Sequence, residues 1–373
     1  MFRQFIAAAV STTYFLFGTA VFLAIAIVLG WILLNANDTV SSRALQVPSQ
    51  IIPFDLSIAL TPEDFEKTTA RLLGTVNKLS DAAPAGHNTT APASEPSKLS
   101  TNINEVYHPK PELLENSPQG PLPKISDKGV VSWQAYGRPV AETITPHVVA
   151  VIVQDFGLSE KVFMEAMNRL PRDITLAFNP YGRDIDRFSG IAKAQGFETL
   201  MGVPMQPSDF PQRDPGPRSL LTDNAPEQNL EIMKWSLGRG ASYVGVIPIM
   251  GDAFTQTGWR IEPLLAEIHR RGLLFVDGTT PQGIATTKDL ASRGRIPFAG
   301  VDIILDQSLA EKDIEAALQQ LEQKALKSGS AVGIIGSYPN TMLILERWET
   351  TLASKNISLV PISEIAARSV KEK

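Results

Sequence analysis

The sequence predicts an α/β fold: a distorted (β/α) barrel of seven or eight parallel strands, preceded by one transmembrane helix and a flexible tether. Three observations carry that expectation. Residues 148–153 are six consecutive apolar, mostly β-branched residues, which suits a strand covered on both faces. From there to the C-terminus, strand-like and helix-like segments alternate, as in a parallel sheet wrapped by helices. Near the N-terminus, residues 14–34 carry no charge and are long enough to cross a hydrocarbon core of about 30 Å. An open, doubly wound sheet is the alternative arrangement.

The N-terminal run reads as an uncleaved anchor over residues 1–36. Signal-peptide cores are shorter, about 7–15 residues, and Asn35-Ala36-Asn37 is a poor small-residue cleavage site. Arg3 precedes the run and the next basic residue is Arg43, which places the N-terminus in the cytoplasm. The expected topology is single-pass, with the C-terminal domain on the outer side of the membrane.

Residues 37–129 form the expected tether. Within it, Thr61-Pro62-Glu63-Asp64 reads as a helix start, with an N-cap, proline at the first helical position and acids at the positive helix end. Residues 81–122 are rich in Ala, Pro, Ser, Thr and Asn, and have too few large apolar residues to offset their ordering entropy. The barrel domain is expected to span residues 130–373.

Its strand candidates after the first are residues 174–178, 199–203, 243–247, 273–276, 301–305, 331–335 and 357–360. Helical patterns occupy 159–170, 183–195, 226–237, 262–271, 309–327 and 341–353. Ser159 can cap the first helix, and Gly196, Gly272 and Gly329 can end others.

Composition removes several function classes. A net charge of −5 argues against nucleic acid as the main partner. The absence of cysteine removes disulfides, thiolate zinc sites and cysteine nucleophiles together. No G-x-G-x-x-G or Walker loop opens a helix, which weakens a nucleotide-binding reading. The four histidines, His87, His108, His147 and His269, all lie away from the strand ends, and no H-x3-H pair is present.

In a barrel, the residues just after each strand build the site. Here those are Gln154 and Asp155, Asn179, Met205 and Gln206, Met250 and Asp252, Asp277, Asp306, and Ser337 and Tyr338. Asp155, Asp277 and Asp306 are the candidate catalytic carboxylates. Gln154, Asp155, Met205, Gln206, Asp252, Asp277, Ser337 and Tyr338 are the candidate ligand-binding set, with Phe156 and Met250 as apolar walls. Each acid taken singly also suits a structural turn or cap. An all-oxygen site made from the three would suit Mg2+, Ca2+ or Mn2+ rather than zinc.

Six motifs occur in a defined order: Val-Gln-Asp-Phe-Gly at 153–157, Pro-Met-Gln-Pro at 204–207, Met-Gly-Asp-x-x-Thr at 250–255, Phe-Val-Asp-Gly-Thr-Thr at 275–280, Ile-Leu-Asp-Gln at 304–307 and Ile-Gly-Ser-Tyr-Pro-Asn-Thr at 335–341. Together they resemble the divergent polysaccharide deacetylases, remote relatives of NodB-like carbohydrate deacetylases, over about residues 148–363. The resemblance implies a general base at the position of Gln154 and a metal ligand at Asp155. It also implies histidines where this chain has Gly202, Ile249 and Ser337. Gln cannot accept a proton from water at neutral pH, so the implied base is missing along with the imidazoles.

The expected function is therefore a membrane-anchored, catalytically degenerate deacetylase-like protein that binds cell-envelope polysaccharide or a cell-wall protein. The alternative is an active carbohydrate hydrolase with a rebuilt, carboxylate-only site. No cofactor is expected beyond a weakly held divalent ion at Asp155, and neither nucleotide nor nucleic acid is an expected partner.

Overall fold

The computed structural model describes residues 107–140 and 144–371. The expected membrane anchor and the short helix after Thr61 lie outside the described residues. Among the described residues, no helix is long and apolar enough to cross a membrane.

Strand β3 (His147–Phe156) is the central strand. Its residues alternate between two cores. Val148, Ala150 and Ile152 join the barrel interior with Leu200, Val244, Leu274 and Val276. Val149, Val151 and Val153 face the outer shell of helices. All six are fully buried, which explains an apolar run with no polar alternation. Burial of each Val or Ile side chain contributes roughly 1.5–3 kcal/mol.

The remaining elements follow in βα order. They are α2 (Glu160–Arg169), β4 (Thr175–Phe178), α3 (Ile185–Ala194), β5 (Glu198–Met205), α4 (Pro226–Leu237), β6 (Gly245–Met250), α5 (Asp252–Gln256) and α6 (Gly258–Arg270). After these come β7 (Leu274–Asp277), α7 (Pro281–Gly294), β8 (Phe298–Gly300), β9 (Ile303–Ile304), α8 (Glu311–Ser328), β10 (Ser330–Gly336), α9 (Pro339–Leu352), β11 (Ile357–Leu359) and α10 (Ile362–Lys371). Ser159 caps α2 by accepting a 3.4 Å bond from Val162 N, and α4 starts on Pro226.

The sheet is parallel throughout, in the order β8-β7-β6-β5-β4-β3-β10-β9, with β11 beside the start of β3. Its two edges, β8 and β9, belong to one bent segment. Val301 N donates to Asp277 O at 2.8 Å, and the next amide, Asp302 N, donates to Val332 O at 2.8 Å. The single strand expected over 301–305 is therefore a longer, interrupted one that starts at Phe298. Gly300, at the end of its first half, and the outward turn of Asp302 break the apolar signal there. Helix α7 was not anticipated, because its polar sequence shows little apolar periodicity. It is set by Pro281 at its start and by Thr280, whose hydroxyl accepts a 3.1 Å bond from Gly283 N.

Ahead of the barrel, β1 (Leu114–Ser117) and β2 (Gly120–Pro123) form an antiparallel hairpin, followed by the helical turn α1 (Ser132–Ala135). The sequence places residues 81–122 in the tether and starts the domain at 130. The structure corrects the last part of that range. Leu113 and Leu122 are buried, and the buried Arg271 donates to Glu115 Oε1 at 2.8 Å and to Pro123 O at 2.9 Å. Arg271 also pairs with Glu267 at 2.8 Å. A short hairpin of Pro, Gly and Ser has no strand pattern of its own, and its anchor comes from a residue about 150 positions later.

Leu122→Ala is expected to destabilise the domain by about 2–5 kcal/mol, as for other buried leucines. Limited proteolysis should leave a resistant fragment that begins before Leu113. A fragment beginning near residue 130, with unchanged melting after Leu122→Ala, would show that the hairpin is not part of the folded unit.

Candidate functional site at the barrel mouth

The C-terminal strand ends form one face of the barrel, and Asp155 stands where β3 reaches it. The pairing of β3 with β4 shifts register between Val153 and Phe156, and Asp155 within that shift has φ +66°. A left-handed aspartate at a strand irregularity is strained, and such strain concentrates where a side chain is re-aimed for a purpose. Its Oδ1 accepts a 3.2 Å bond from Asn179 Nδ2 at the end of β4. Asn179 is itself oriented, because its Oδ1 accepts from Tyr181 N at 3.1 Å.

On the other side of β3, Gln154 is in register with Gly336 at the end of β10, so Ser337 and the half-exposed Tyr338 come next to it on the rim. Asp306 joins the same side, with its Oδ2 accepting from Gly336 N at 2.7 Å. Gln154, Asp155, Asp306, Ser337 and Tyr338 therefore do gather on adjoining strand ends.

A second polar group gathers at β5 and β6. Gln206 Oε1 accepts from Thr222 N at 2.8 Å and Thr222 Oγ1 at 3.0 Å, which ties down the loop after β5. Asp252 accepts from the amide and hydroxyl of Ser208 in that loop, and lies 3.8 Å from Arg213. Met250, with φ +59°, is exposed on this rim.

Three expected site residues are not on the mouth surface. Met205 and Phe156 belong to the outer apolar core, and Asp277 is 0 % exposed. The Asp277 carboxylate accepts bonds from Thr279 N at 2.9 Å, Thr279 Oγ1 at 2.7 Å and Thr287 Oγ1 at 2.6 Å. Burial pushes its pKa up, against the opposing pull of those hydroxyls and that amide. It is a buried clasp between β7 and α7. Asp155, Asp277 and Asp306 spend their carboxylates on separate partners, and among the described residues no three His, Cys, Asp or Glu side chains group to hold a metal ion.

The most informative geometry lies between β5 and β6. A methyl group on Gly202 would stand 2.7 Å from Ile249 Cδ1 and 2.9 Å from Phe178 O. The Ile249 side chain thus occupies the space over Gly202, and the two positions are packed as one apolar unit. These are two of the three places where the sequence resemblance implies a histidine.

The sequence pattern of the divergent polysaccharide deacetylases matches residues 151–366. The chain belongs to the divergent polysaccharide deacetylase family. It is also 26 % identical over 200 residues to an uncharacterized protein of Haemophilus influenzae, covering 53 % of this chain and 69 % of that one. The crystal structure of an uncharacterized protein of Agrobacterium tumefaciens C58 superposes with a TM-score of 0.63 at 28 % identity, over 66 % of this chain and 99 % of that one.

Within this deacetylase family member, zinc does not suit the residues present. Ile249 fills one expected ligand position, Gly202 has no room for a side chain, and the Asp155 carboxylate is held by Asn179. A zinc site normally needs three protein ligands plus an open position. One residue near the mouth was named without its role, and another escaped the sequence reading. Asn179 lay among the strand-end residues but left no sign of its contact with Asp155. Trp259 opens α6 on the mouth side, is 63 % exposed and carries the Arg260 guanidinium 3.7 Å from its ring centroid. No motif marks it.

Gly202→Ala should cost about 1–3 kcal/mol, the usual range for overpacking. Combining it with Ile249→Ala should recover part of that loss in a double-mutant cycle, because two of the three nearest contacts are then removed. Strict additivity would show that the two side chains do not share the space.

Asp277 makes a pH-dependent contribution with a definite sign. Its native pKa is raised, so its stabilising contribution is complete below about 3.8 and is lost as pH rises through the native value. The stability advantage of wild type over Asp277→Asn in urea unfolding should therefore be larger at pH 4 than at pH 7. An advantage that grows with pH would contradict the burial argument.

Proposed function

We propose that this protein is a membrane-anchored, catalytically degenerate polysaccharide deacetylase-like protein whose barrel mouth binds cell-envelope polysaccharide. The observation that carries this reading is the packing of Ile249 over Gly202, which puts hydrocarbon at two positions where the resemblance implies imidazole ligands. Without a Lewis acid the pKa of water stays far above neutrality, and Gln154 cannot act as base. The rim keeps features suited to sugar: the exposed Tyr338, Met250 and Trp259 offer apolar faces, and Asp155 and Asp306 offer carboxylates fixed by hydrogen bonds. The anchor rests on the uncharged run at residues 14–34, with the barrel on the periplasmic side of the inner membrane.

The purified full-length protein should show no zinc-dependent deacetylation of acetylated oligosaccharides. It should bind purified envelope polysaccharide, with affinity reduced about tenfold or more by combining Tyr338→Ala with Trp259→Ala, since aromatic contacts usually dominate such sites. Zinc-dependent turnover abolished by Asp155→Ala would overturn the degenerate reading in favour of an active hydrolase. Polysaccharide binding unaffected by the rim substitutions would move the ligand away from the mouth.

A further inference from the structure

A cleft of about 1050 Å³ opens away from the mouth, where the bent closing segment passes between the starts of β8 and β10. Its floor is apolar, formed by Phe298, Val301 and Val332. Its rim is basic. Two of the rim cations are already matched: Lys324 lies 3.6 Å from Asp302, and Arg368 Nε lies 3.1 Å from Glu364. Asp302 is the one acid lining the cleft, and its other oxygen accepts from Val332 N at 2.9 Å. That leaves Lys288 and Arg295, both lining the cleft and exposed, with no acid partner among the described residues.

The helix macrodipole accounts for only part of this charge. Arg295 caps the C-terminal end of α7 and suits the negative helix end. Lys288 lies six residues before that end, beyond the last turn over which the effect is felt. Among the described residues, two cations without an acid partner therefore line a cleft that also has apolar walls. A ligand that would match both has an anionic head and an apolar body.

We propose that this cleft binds an amphipathic anion, its phosphate or carboxylate between Lys288 and Arg295 and its apolar part on Phe298, Val301 and Val332. Such a group is supplied either by an anionic lipid or by a soluble metabolite. The site is separate from the barrel mouth and its occupancy does not depend on whether the mouth is catalytic.

The test uses the full-length protein in phosphatidylcholine nanodiscs, titrated with hexyl phosphate, inorganic phosphate and hexanol by calorimetry. Hexyl phosphate should bind at least about tenfold more tightly than either of the others, since it alone supplies both halves of the match. Combining Lys288→Glu with Arg295→Asn should weaken it by about tenfold or more. Asparagine is chosen because it tolerates the left-handed backbone of Arg295, φ +54°. The milder Lys288→Gln should give an intermediate loss with an unchanged melting temperature. Affinity for hexyl phosphate that matches either control, or that survives the double substitution, overturns the proposal. Nanodiscs doped with anionic phospholipid separate the sources: competition with hexyl phosphate assigns the lipid, and unchanged binding assigns the soluble anion.

Discussion

Two consecutive amides close this barrel. Val301 N bonds to β7 and Asp302 N bonds to β10, so one short stretch of chain supplies both edges of the sheet. A parallel sheet left open here would expose unpaired backbone along β7 and β10, which is costly and invites association. The closing segment therefore bears a constraint that no other strand shares. It must turn from one neighbour to the next within two residues, and Asp302 helps by accepting from Val332 N. Residues 300–302 also line the basic cleft, so the device that closes the sheet also forms part of a recess beside it.

At the opposite end, polar residues serve two different purposes. Asp277, Gln206 and Asp252 are spent on holding loops and helices in place. Asp155 differs because its backbone is strained and its carboxylate is bonded, among the described residues, to Asn179 at the end of the next strand. Strain that does not stabilise the fold needs a benefit elsewhere, and presenting a carboxylate to a ligand is the simplest one. The Gly202–Ile249 pair points the same way from the apolar side. At two positions where the sequence resemblance implies imidazoles, the chain instead packs an isoleucine side chain against a glycine.

The strand–helix alternation was legible because its signal is local. The six apolar residues of β3 and the Pro226 start of α4 each announce their element within a few positions. The hairpin at 114–123 was not legible, since its stability comes from Arg271 and from burial of Leu113 and Leu122. The candidate site was legible as a set of strand ends but not as roles. Asp155 and Asp277 look alike in sequence, each polar after an apolar run, and only the folded chain shows one presented and the other enclosed. The difference lies in Thr287, ten residues beyond Asp277 on a helix that has little apolar periodicity to announce it.

The pairing of β3 has a consequence for biosynthesis. This strand is made early, yet two of its three neighbours, β10 and β11, lie about 180 and about 210 residues later in the chain. While the ribosome is still translating, β3 can pair only with β4, and a wholly apolar edge waits without its partner. Long-range parallel pairing of this kind forms slowly, and the waiting edge is open to association in the meantime. The nascent barrel is thus most exposed just before its last fifth appears, and a polypeptide truncated before Ser330 would carry that edge permanently.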